Sequence, residues 1–374
     1  MRLTASLRGE GGHIMSRKHN TILIMLILMV NASFMGALLG IQTPKNILRA
    51  DSAARFVRSG TNINEIYSEE ELLSQLREQY PKLYDALDMD GAPVYVVPGM
   101  ITTATIETST GRPGISRHMT PQGIALTADY LIISAYSYDN AYYSVLYVMD
   151  RESGDYVKTI VLPGTPHAGG LAYDERFGRL WIAETTDGRR GMLAAIDDAT
   201  LRQEDFSRSA APVTYDYLVR VDSLENISFL TWHGGSLYMG SFSRNGAGKL
   251  EAYDLDERGL PQDGDAFTGA RGAVAVINKI QGVACTEDSM FFSKSWGPSD
   301  STLLMHRLDD GDIFDDFKSA GFCKLRFPPY MEQIVASGDD LYVLFESEAA
   351  GYRGRENILH VDRVFRFRIS KLFS

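Results

Sequence analysis

The sequence lacks the short motifs that mark several enzyme classes. It contains no G-x-S-x-G elbow, no H-E-x-x-H, no P-loop and no G-x-G-x-x-G. Serine-type hydrolysis and nucleotide use are therefore disfavoured, although a catalytic triad needs no local signature. Basic residues are also in deficit, since 37 Lys and Arg stand against 48 Asp and Glu and give a net charge of −11. Because this charge repels phosphates and no basic stripe offsets it, we predict no nucleic-acid binding.

A repeat is the most informative feature that the chain does contain. Its clearest copy has three apolar segments, at residues 122–134, 143–150 and 156–162, separated by Gly and Asp turns. Similar copies begin at Gly170, Ser228 and Gln281, and a fifth begins at Gln333 near the end of the chain. A period of about 50 residues with about four strands per unit is typical of a β-propeller. We predict an all-β propeller over residues 93–374 with five blades, or six if residues 200–222 or 310–330 contain further strands.

The segment before the first repeat is expected to close the ring. The fifth unit ends after its third strand, at residues 361–369. We predict that the strand-like segment 94–107 supplies the missing outer strand, because this closure leaves no exposed terminal edge. Residues 42–92 are predicted to be a linker followed by an amphipathic helix, in which Ser68 and Glu71 form a capping box.

One stretch of the repeat resembles a known family. Residues 146–162 (LYVMDRESGDYVKTIVL) are followed by PHAGGLAYD at residues 166–174. Together they are similar to the repeat of the YVTN/YncE-like propellers of the gluconolactonase-like superfamily, over roughly residues 120–345. The resemblance implies the fold. Because such propellers include secreted binding proteins, metal-dependent lactonases and lyases, it leaves both a binding protein and an enzyme open.

Polar residues stand at the start of the inner strand of every unit. Inner strands of a propeller converge on a central channel, so we expect these side chains to meet at one channel mouth, where a small ligand or a cation could bind. The candidate ligand-binding residues are Gln122, His167, Asn226, Gln281, Glu332 and Gln333. The alternative is a polar channel that holds only water.

The chemistry of this ring leaves two functions open. An oxygen-rich ring would suit Ca²⁺, which makes Ca²⁺ a possible cofactor and Glu332 the candidate metal ligand. His167 could bind Zn²⁺ or act as a general base, so His167 and Glu332 are the catalytic candidates. Metal-dependent lactonases of related propellers surround the axis with several acidic and Asn ligands, whereas Glu332 is the one carboxylate predicted here. We therefore favour binding of a small ligand or protein partner at the channel mouth, with a metal-dependent lactonase- or lyase-like enzyme as the alternative.

The N-terminal residues 1–41 are predicted to be a cytoplasmic tail and a membrane anchor or signal. Residues 21–41 carry no charge and follow Arg17 and Lys18. Their length matches the roughly 20 residues of a membrane-spanning helix. Asn31 and Ser33 interrupt the apolar run, so a cleaved signal peptide, which would make the protein secreted, is the alternative. We expect a single-pass cell-membrane protein whose propeller is extracytoplasmic.

Cysteine is scarce, because Cys285 and Cys323 are the only two in the chain. The repeat puts Cys285 on the inner strand and Cys323 on the outer strand of the fourth unit. Strands two or three places apart are about 10–14 Å apart, whereas a disulfide needs Cα atoms within about 7 Å. We predict two free, mostly buried thiols with no disulfide between them.

Overall fold

A computed structural model of the protein describes residues 55–56, 60–88, 93–184 and 190–374. These residues form a five-bladed β-propeller, as predicted: four blades are four-stranded sheets and one blade has a fifth strand. Three strands precede the first blade: β1 (Tyr95–Val96), β2 (Thr103–Glu107) and β3 (Arg112–Ser116). Blade 1 contains β4 (Met119–Leu126), β5 (Tyr130–Ser137), β6 (Val145–Asp150) and β7 (Tyr156–Val161).

The next three blades follow in chain order. Blade 2 contains β8 (Leu171–Asp174), β9 (Arg179–Glu184), β10 (Gly191–Asp197) and β11 (Tyr217–Val221). Blade 3 contains β12 (Phe229–His233), β13 (Ser236–Ser241), β14 (Gly248–Asp254) and β16 (Gly272–Val276), and the short β15 (Ala266–Phe267) pairs in parallel with β11 of blade 2. Blade 4 contains β17 (Ile280–Cys285), β18 (Ser289–Lys294), β19 (Ser301–Arg307) and β20 (Cys323–Phe327). Residues 200–222 and 310–330 thus supply the outer strands β11 and β20, and the described ring has no sixth blade.

Blade 5 is completed by the N-terminal part of the described chain. Its own strands are β21 (Met331–Ser337), β22 (Asp340–Phe345) and β23 (Arg363–Arg368). Strand β1 pairs antiparallel with β23, with Tyr95 opposite Val364. The expected outer strand was 94–107, but only Tyr95–Val96 pairs in this blade. Strand β2 pairs with β3 in a separate hairpin, because Pro98 and Gly99, where φ is +77°, turn the chain away after β1.

Short helices complete the described fold. They are α1 (Glu69–Gln79), α2 (Pro81–Ala86), α3 (Asp198–Gln203), α4 (Phe206–Ser209), α5 (Ile369–Leu372) and one 3₁₀ turn (Leu308–Asp310). Helix α1 begins as predicted, since Ser68 Oγ accepts a hydrogen bond from Glu71 N at 3.2 Å. Its buried Leu72 and Leu76 share an apolar cluster with Phe367 of blade 5. Burial of this apolar face stabilises a helix that would be marginal alone.

The predicted membrane anchor at residues 21–41 lies outside the described residues and stays a prediction. Within the described ranges, no helix is long and apolar enough to cross a membrane.

The two cysteines lie where the repeat places them, but one is more exposed than expected. Cys285 is half-buried on β17, the inner strand of blade 4, whereas Cys323 is exposed on β20. The expectation that both thiols would be mostly buried is wrong for Cys323. Cys323 is the first residue of the outer strand of the blade, in which only the last residue, Phe327, is buried.

The inner strands β4, β8, β12, β17 and β21 contact one another around the axis, and Gln333 joins four of them. From β21, Gln333 Oε1 accepts hydrogen bonds from Ile124 N of β4 at 3.0 Å and Leu171 N of β8 at 2.8 Å. Its Nε2 donates to Leu171 O at 2.6 Å and to Leu230 O of β12 at 2.7 Å. Since all four bonds are buried, one amide group pairs backbone atoms that no neighbouring strand can pair.

Replacing Gln333 with Leu should therefore destabilise the propeller. The change leaves two buried N–H and two buried C=O bonding sites without a partner, at about 1–3 kcal/mol for each lost group. We expect the free energy of unfolding to fall by at least about 3 kcal/mol, measured by urea denaturation. The control is Gln281→Leu, which removes a single hydrogen bond to Glu332 at 3.2 Å and should cost about 1 kcal/mol. Equal losses in the two variants would contradict this role of Gln333.

Candidate functional site

A cavity of about 650 Å³ opens at one end of the propeller axis. Five of the six residues predicted for the channel mouth line it: Gln122, His167, Asn226, Gln281 and Glu332. We call this space the mouth cavity. Gln333 is different, because its amide lies buried on the axis and is fully used in backbone hydrogen bonds. The prediction that Gln333 contacts a ligand has no support in this geometry.

Irregularities in three inner strands turn the polar residues towards the axis. The strand register shifts between Pro121 and Ile124 in β4, between Ile280 and Gly282 in β17, and between Met331 and Ile334 in β21. Such bulges change the direction of a side chain next to a binding site. They fall at the positions of Gln122, Gln281 and Glu332, which explains why these three side chains converge.

Glycine follows two of these glutamines because the inner strands approach one another closely. A Cβ atom at Gly123 would lie 2.9 Å from Leu171 Cγ of β8, and one at Gly282 would lie 2.8 Å from the Cα atom of Gln333 of β21. Both distances are shorter than a side chain tolerates. The two Gln-Gly pairs therefore combine an inward polar group with a backbone that packs against its neighbour.

Two glutamates form the inner end of the mouth cavity. Glu332 is 3% exposed and Glu346 is 7% exposed, and their carboxyl groups hydrogen-bond to each other. Gln122 Nε2 donates to Glu346 Oε2 at 2.9 Å, and Gln281 Nε2 donates to Glu332 Oε1 at 3.2 Å. We call Glu332 and Glu346 the acid pair.

The environment of the acid pair favours its protonated form. Burial raises the pKa of Glu346 to about 7, although hydrogen bonds from Glu332 and Gln122 act in the opposite direction. Burial, and then the charge of Glu346, raise the pKa of Glu332 well above its usual value. Among the described residues, no Lys, Arg or His forms an ion pair with either carboxylate within 4.0 Å. Near neutral pH the pair therefore holds a proton between two oxygens that compete for it.

His167 lies in the wall of the mouth cavity against an aromatic ring. Its imidazole packs on Tyr136, with ring centroids 4.3 Å apart and planes at 32°. Water in the cavity reaches the ring, but surrounding protein lowers the pKa of His167 to about 4. The imidazole is therefore neutral at neutral pH, in which state it can accept a hydrogen bond.

Large aromatic side chains surround the outer part of the mouth cavity. Tyr138 is 54% exposed and lies edge-on to Tyr352, with centroids 6.1 Å apart. Trp296 is 41% exposed and packs on Phe242 at 5.4 Å. Exposed rings around a concave polar site are typical of ligand-contacting surfaces.

The residues that the sequence interpretation missed share one position in the blade. Tyr138, Glu184, Phe242, Trp296 and Glu346 all lie at or just after the end of the second strand of a blade. In an antiparallel pair, the end of the second strand lies beside the start of the first. An alignment of the ends of the second strands would therefore have found Glu346 beside Glu332.

The side chains around Glu332, the candidate metal ligand, offer few further ligands for a metal ion. A second carboxylate, Glu346, adjoins it, but no group of three or more His, Cys, Asp or Glu side chains suited to a metal occurs in the described ranges. The amides of Gln122 and Gln281 present their NH₂ groups to the acid pair. These donors match carboxyl oxygens rather than a cation.

The opposite end of the axis has a second cavity, of about 710 Å³. It is slightly larger, and several residues of the strand turns that line it use their polar groups for internal contacts. Arg151, for example, donates to Thr127 O at 2.8 Å and to Ser337 Oγ at 2.9 Å. We therefore take the mouth cavity, with its acid pair, as the candidate site.

Comparisons with known proteins add no function. No family model matches the chain, and no curated protein matches it. Solved structures that are similar include a glucose dehydrogenase (TM-score 0.39, 11% identity, 74% of this chain and 91% of that chain). A putative oxidoreductase (glucose dehydrogenase) from Thermus thermophilus gives a TM-score of 0.38 at 12% identity, over 71% of this chain and 98% of that one. Hydrazine synthase from Kuenenia stuttgartiensis gives 0.36 at 10%, over 61% of this chain, which spans 56% of that one.

At these identities and scores, the similar structures carry no argument about what the chain binds or catalyses. The fold and the site together define a five-bladed propeller with an acid pair at the inner end of its mouth cavity. The resemblance to YVTN/YncE-like propellers stays a prediction.

The raised pKa of Glu346 predicts a pH-dependent stability. The folded protein binds this proton more tightly than the unfolded chain does. The stabilisation is thus complete below the unfolded pKa of about 4.5 and is lost as the pH rises to about 7. At about 1.4 kcal/mol per pKa unit, the loss from Glu346 is at most about 3.5 kcal/mol. In urea denaturation between pH 4.5 and pH 7.5, Glu346→Gln should remove this contribution and make the loss of stability shallower, while the raised pKa of Glu332 leaves a remaining dependence on pH.

The control for this experiment is Glu152→Gln, which changes an exposed glutamate in a turn. It should retain the pH dependence of the wild-type protein. A Glu346→Gln variant that loses stability with rising pH as steeply as the wild type would contradict the assignment.

Proposed function

We propose that the protein is a ligand-binding propeller whose mouth cavity takes a small molecule. The observation that carries this proposal is the acid pair, two buried carboxyl groups that face a cavity and have no cation partner among the described residues. Burying ionisable groups without a countercharge is unfavourable for folding. A channel that holds only water has no need of such a pair, because neutral amides and hydroxyls would satisfy its backbone.

The size of the cavity favours a small molecule over a protein partner. Small-molecule sites usually measure about 300–1,000 Å³, and the mouth cavity measures about 650 Å³. Its polar groups lie at the inner end and its exposed rings lie at the rim. A compact ligand with one polar end and an apolar body fits this order of groups.

The proposal is tested by blocking the cavity. A chemically mixed set of small amines, sugars and carboxylic acids is screened by thermal denaturation of the protein, since a bound ligand raises the melting temperature. Thr165 lines the mouth cavity, and Thr165→Trp should abolish the shift given by each hit.

The matched control is Ala128→Trp, which puts the same bulk in the opposite cavity. It should leave the shifts unchanged. If no compound shifts the melting temperature, or if hits survive in Thr165→Trp and disappear in Ala128→Trp, the proposal is wrong.

A second candidate function is acid–base catalysis of a lactonase-like kind. The observation in its favour is again the acid pair, because burial raises the pKa of both carboxyl groups and the two share a proton near neutral pH. A protonated carboxyl beside an ionised one can donate a proton to a leaving oxygen and remove one from water. The neutral His167 lies in the same cavity and can accept a proton or a hydrogen bond.

This alternative predicts hydrolysis of small lactones by the purified protein. Glu346→Gln should lower kcat/KM by at least about 100-fold, the usual effect of losing a general acid or base. The rate is followed by proton release, with Glu152→Gln as control. No turnover of any lactone, or turnover that Glu346→Gln leaves unchanged, excludes this candidate.

A further inference from the structure

Among the described residues, the acid pair is not accompanied by a basic side chain in the mouth cavity. The carboxyl groups of Glu332 and Glu346 line it, and no described Lys or Arg does. Two described cations contact rings at or near the rim. Arg244 is over the ring of Trp296, with Cζ 4.9 Å from the ring centroid, and Arg355 hydrogen-bonds to Tyr330. The cavity therefore offers negative charge to an incoming group.

The described residues donate fewer hydrogen bonds to the acid pair than its carboxyl oxygens can accept. Each carboxyl group can accept about four hydrogen bonds. Gln122 gives one to Glu346, Gln281 gives one to Glu332, and the two carboxyl groups share another. The pair thus has acceptor sites left for N–H donors, and a positive charge would relieve the repulsion between its oxygens.

Aromatic rings complete the site outside the acid pair. Tyr136 lies over His167, Tyr352 adjoins Tyr138, and Trp296 is exposed at the rim. Ring faces carry partial negative charge, so they attract cations as well as apolar groups. Carboxylates at the inner end and rings along the wall suit a cation with an apolar body.

We propose that the ligand of the mouth cavity is an organic ammonium ion, whose nitrogen binds the acid pair and whose carbon skeleton packs on the aromatic wall. This inference rests on the proposed ligand-binding function and names the chemical class of the ligand. The ammonium N–H groups donate to Glu332 and Glu346. The neutral amides of Gln122 and Gln281 keep their present bonds and hold the carboxyl groups in place.

When the cation binds, its positive charge replaces that of the proton shared by the acid pair. The ammonium ion enters with its proton attached, and the acid pair releases its shared proton to solvent, so no covalent bond other than this O–H bond changes. Affinity should therefore rise with pH towards pH 7 and then level off. The other titratable or charged groups that face the pair or its aromatic neighbours are Glu184, His167, Tyr136, Tyr138, Tyr330, Tyr352 and Arg355. Tyr136 and Tyr352 stay neutral in this range, because burial raises the pKa of both further above neutrality.

The test uses three probes of nearly the same shape and different charge. Cyclohexylammonium is positive, cyclohexanol is neutral and cyclohexanecarboxylate is negative at neutral pH. Binding to the full-length chain is measured by isothermal titration calorimetry in two buffers of different protonation enthalpy. We expect cyclohexylammonium to bind at least about tenfold more tightly than cyclohexanol, with release of up to one proton. The carboxylate should bind most weakly.

Two variants test which side chains bind the cation. Glu346→Gln should weaken cyclohexylammonium at least about tenfold and change cyclohexanol less than about threefold. It should also abolish most of the proton release. Trp296→Ala should weaken the cation about three- to tenfold through loss of a ring face. Ala128→Trp, in the opposite cavity, is the control and should leave all three affinities unchanged.

The outcomes distinguish a failure of the proposed ligand class from a failure of the proposed ligand-binding function. The inference is overturned if cyclohexanol or cyclohexanecarboxylate binds as tightly as cyclohexylammonium, or if Glu346→Gln leaves cation binding unchanged. If none of the three probes binds while the broader screen finds only sugars or carboxylic acids that Thr165→Trp excludes, the ammonium class is wrong and the ligand-binding function stands. If neither experiment finds a ligand, both proposals fall.

Discussion

The fold depends on backbone groups that meet at the propeller axis without a strand to pair them. Inner strands of neighbouring blades contact one another but do not form ladders, so their facing N–H and C=O groups need other partners. Gln333 provides them across three blades by using both ends of its amide. A glutamine suits this position because it combines two donors with an acceptor oxygen and carries no charge to bury.

The same bulge that directs Gln333 into the axis directs its neighbour Glu332 into the mouth cavity. Two adjacent residues of β21 thus serve different purposes, one closing the channel and the other forming the inner end of a site. In β21, Gln333 lies between Glu332, which lines the mouth cavity, and Val335, which lines the opposite cavity. The acid pair lies where protein excludes most of the water, and this location accounts for the raised pKa of Glu346.

Most of the fold could be predicted from the sequence because propeller repeats carry strong local signals. Alternating turns and apolar strands located the five blades, and Ser68 with Glu71 located the start of α1. The extent of the closing strand was harder to predict, because two paired residues leave little pattern and the turn at Pro98 and Gly99 ends the strand instead of interrupting it. For the site, the pattern of polar residues at the starts of the inner strands identified Glu332 but not Glu346. The two are 14 positions apart in sequence, and they meet only because β21 and β22 pair.

The repeat alone determined the class of fold and the end of the axis at which polar groups collect, because strand period and turn residues act over a few neighbours. Which of those groups face a ligand depended on the register of the inner strands. A shift of one residue at a bulge sends Glu332 outward to the cavity and Gln333 inward to the backbone, and the one-dimensional pattern does not distinguish the two. The raised pKa of the acid pair likewise depends on the tertiary structure. A carboxyl group acquires a raised pKa from burial and from its neighbours, and both are properties of the packed blades rather than of the residue.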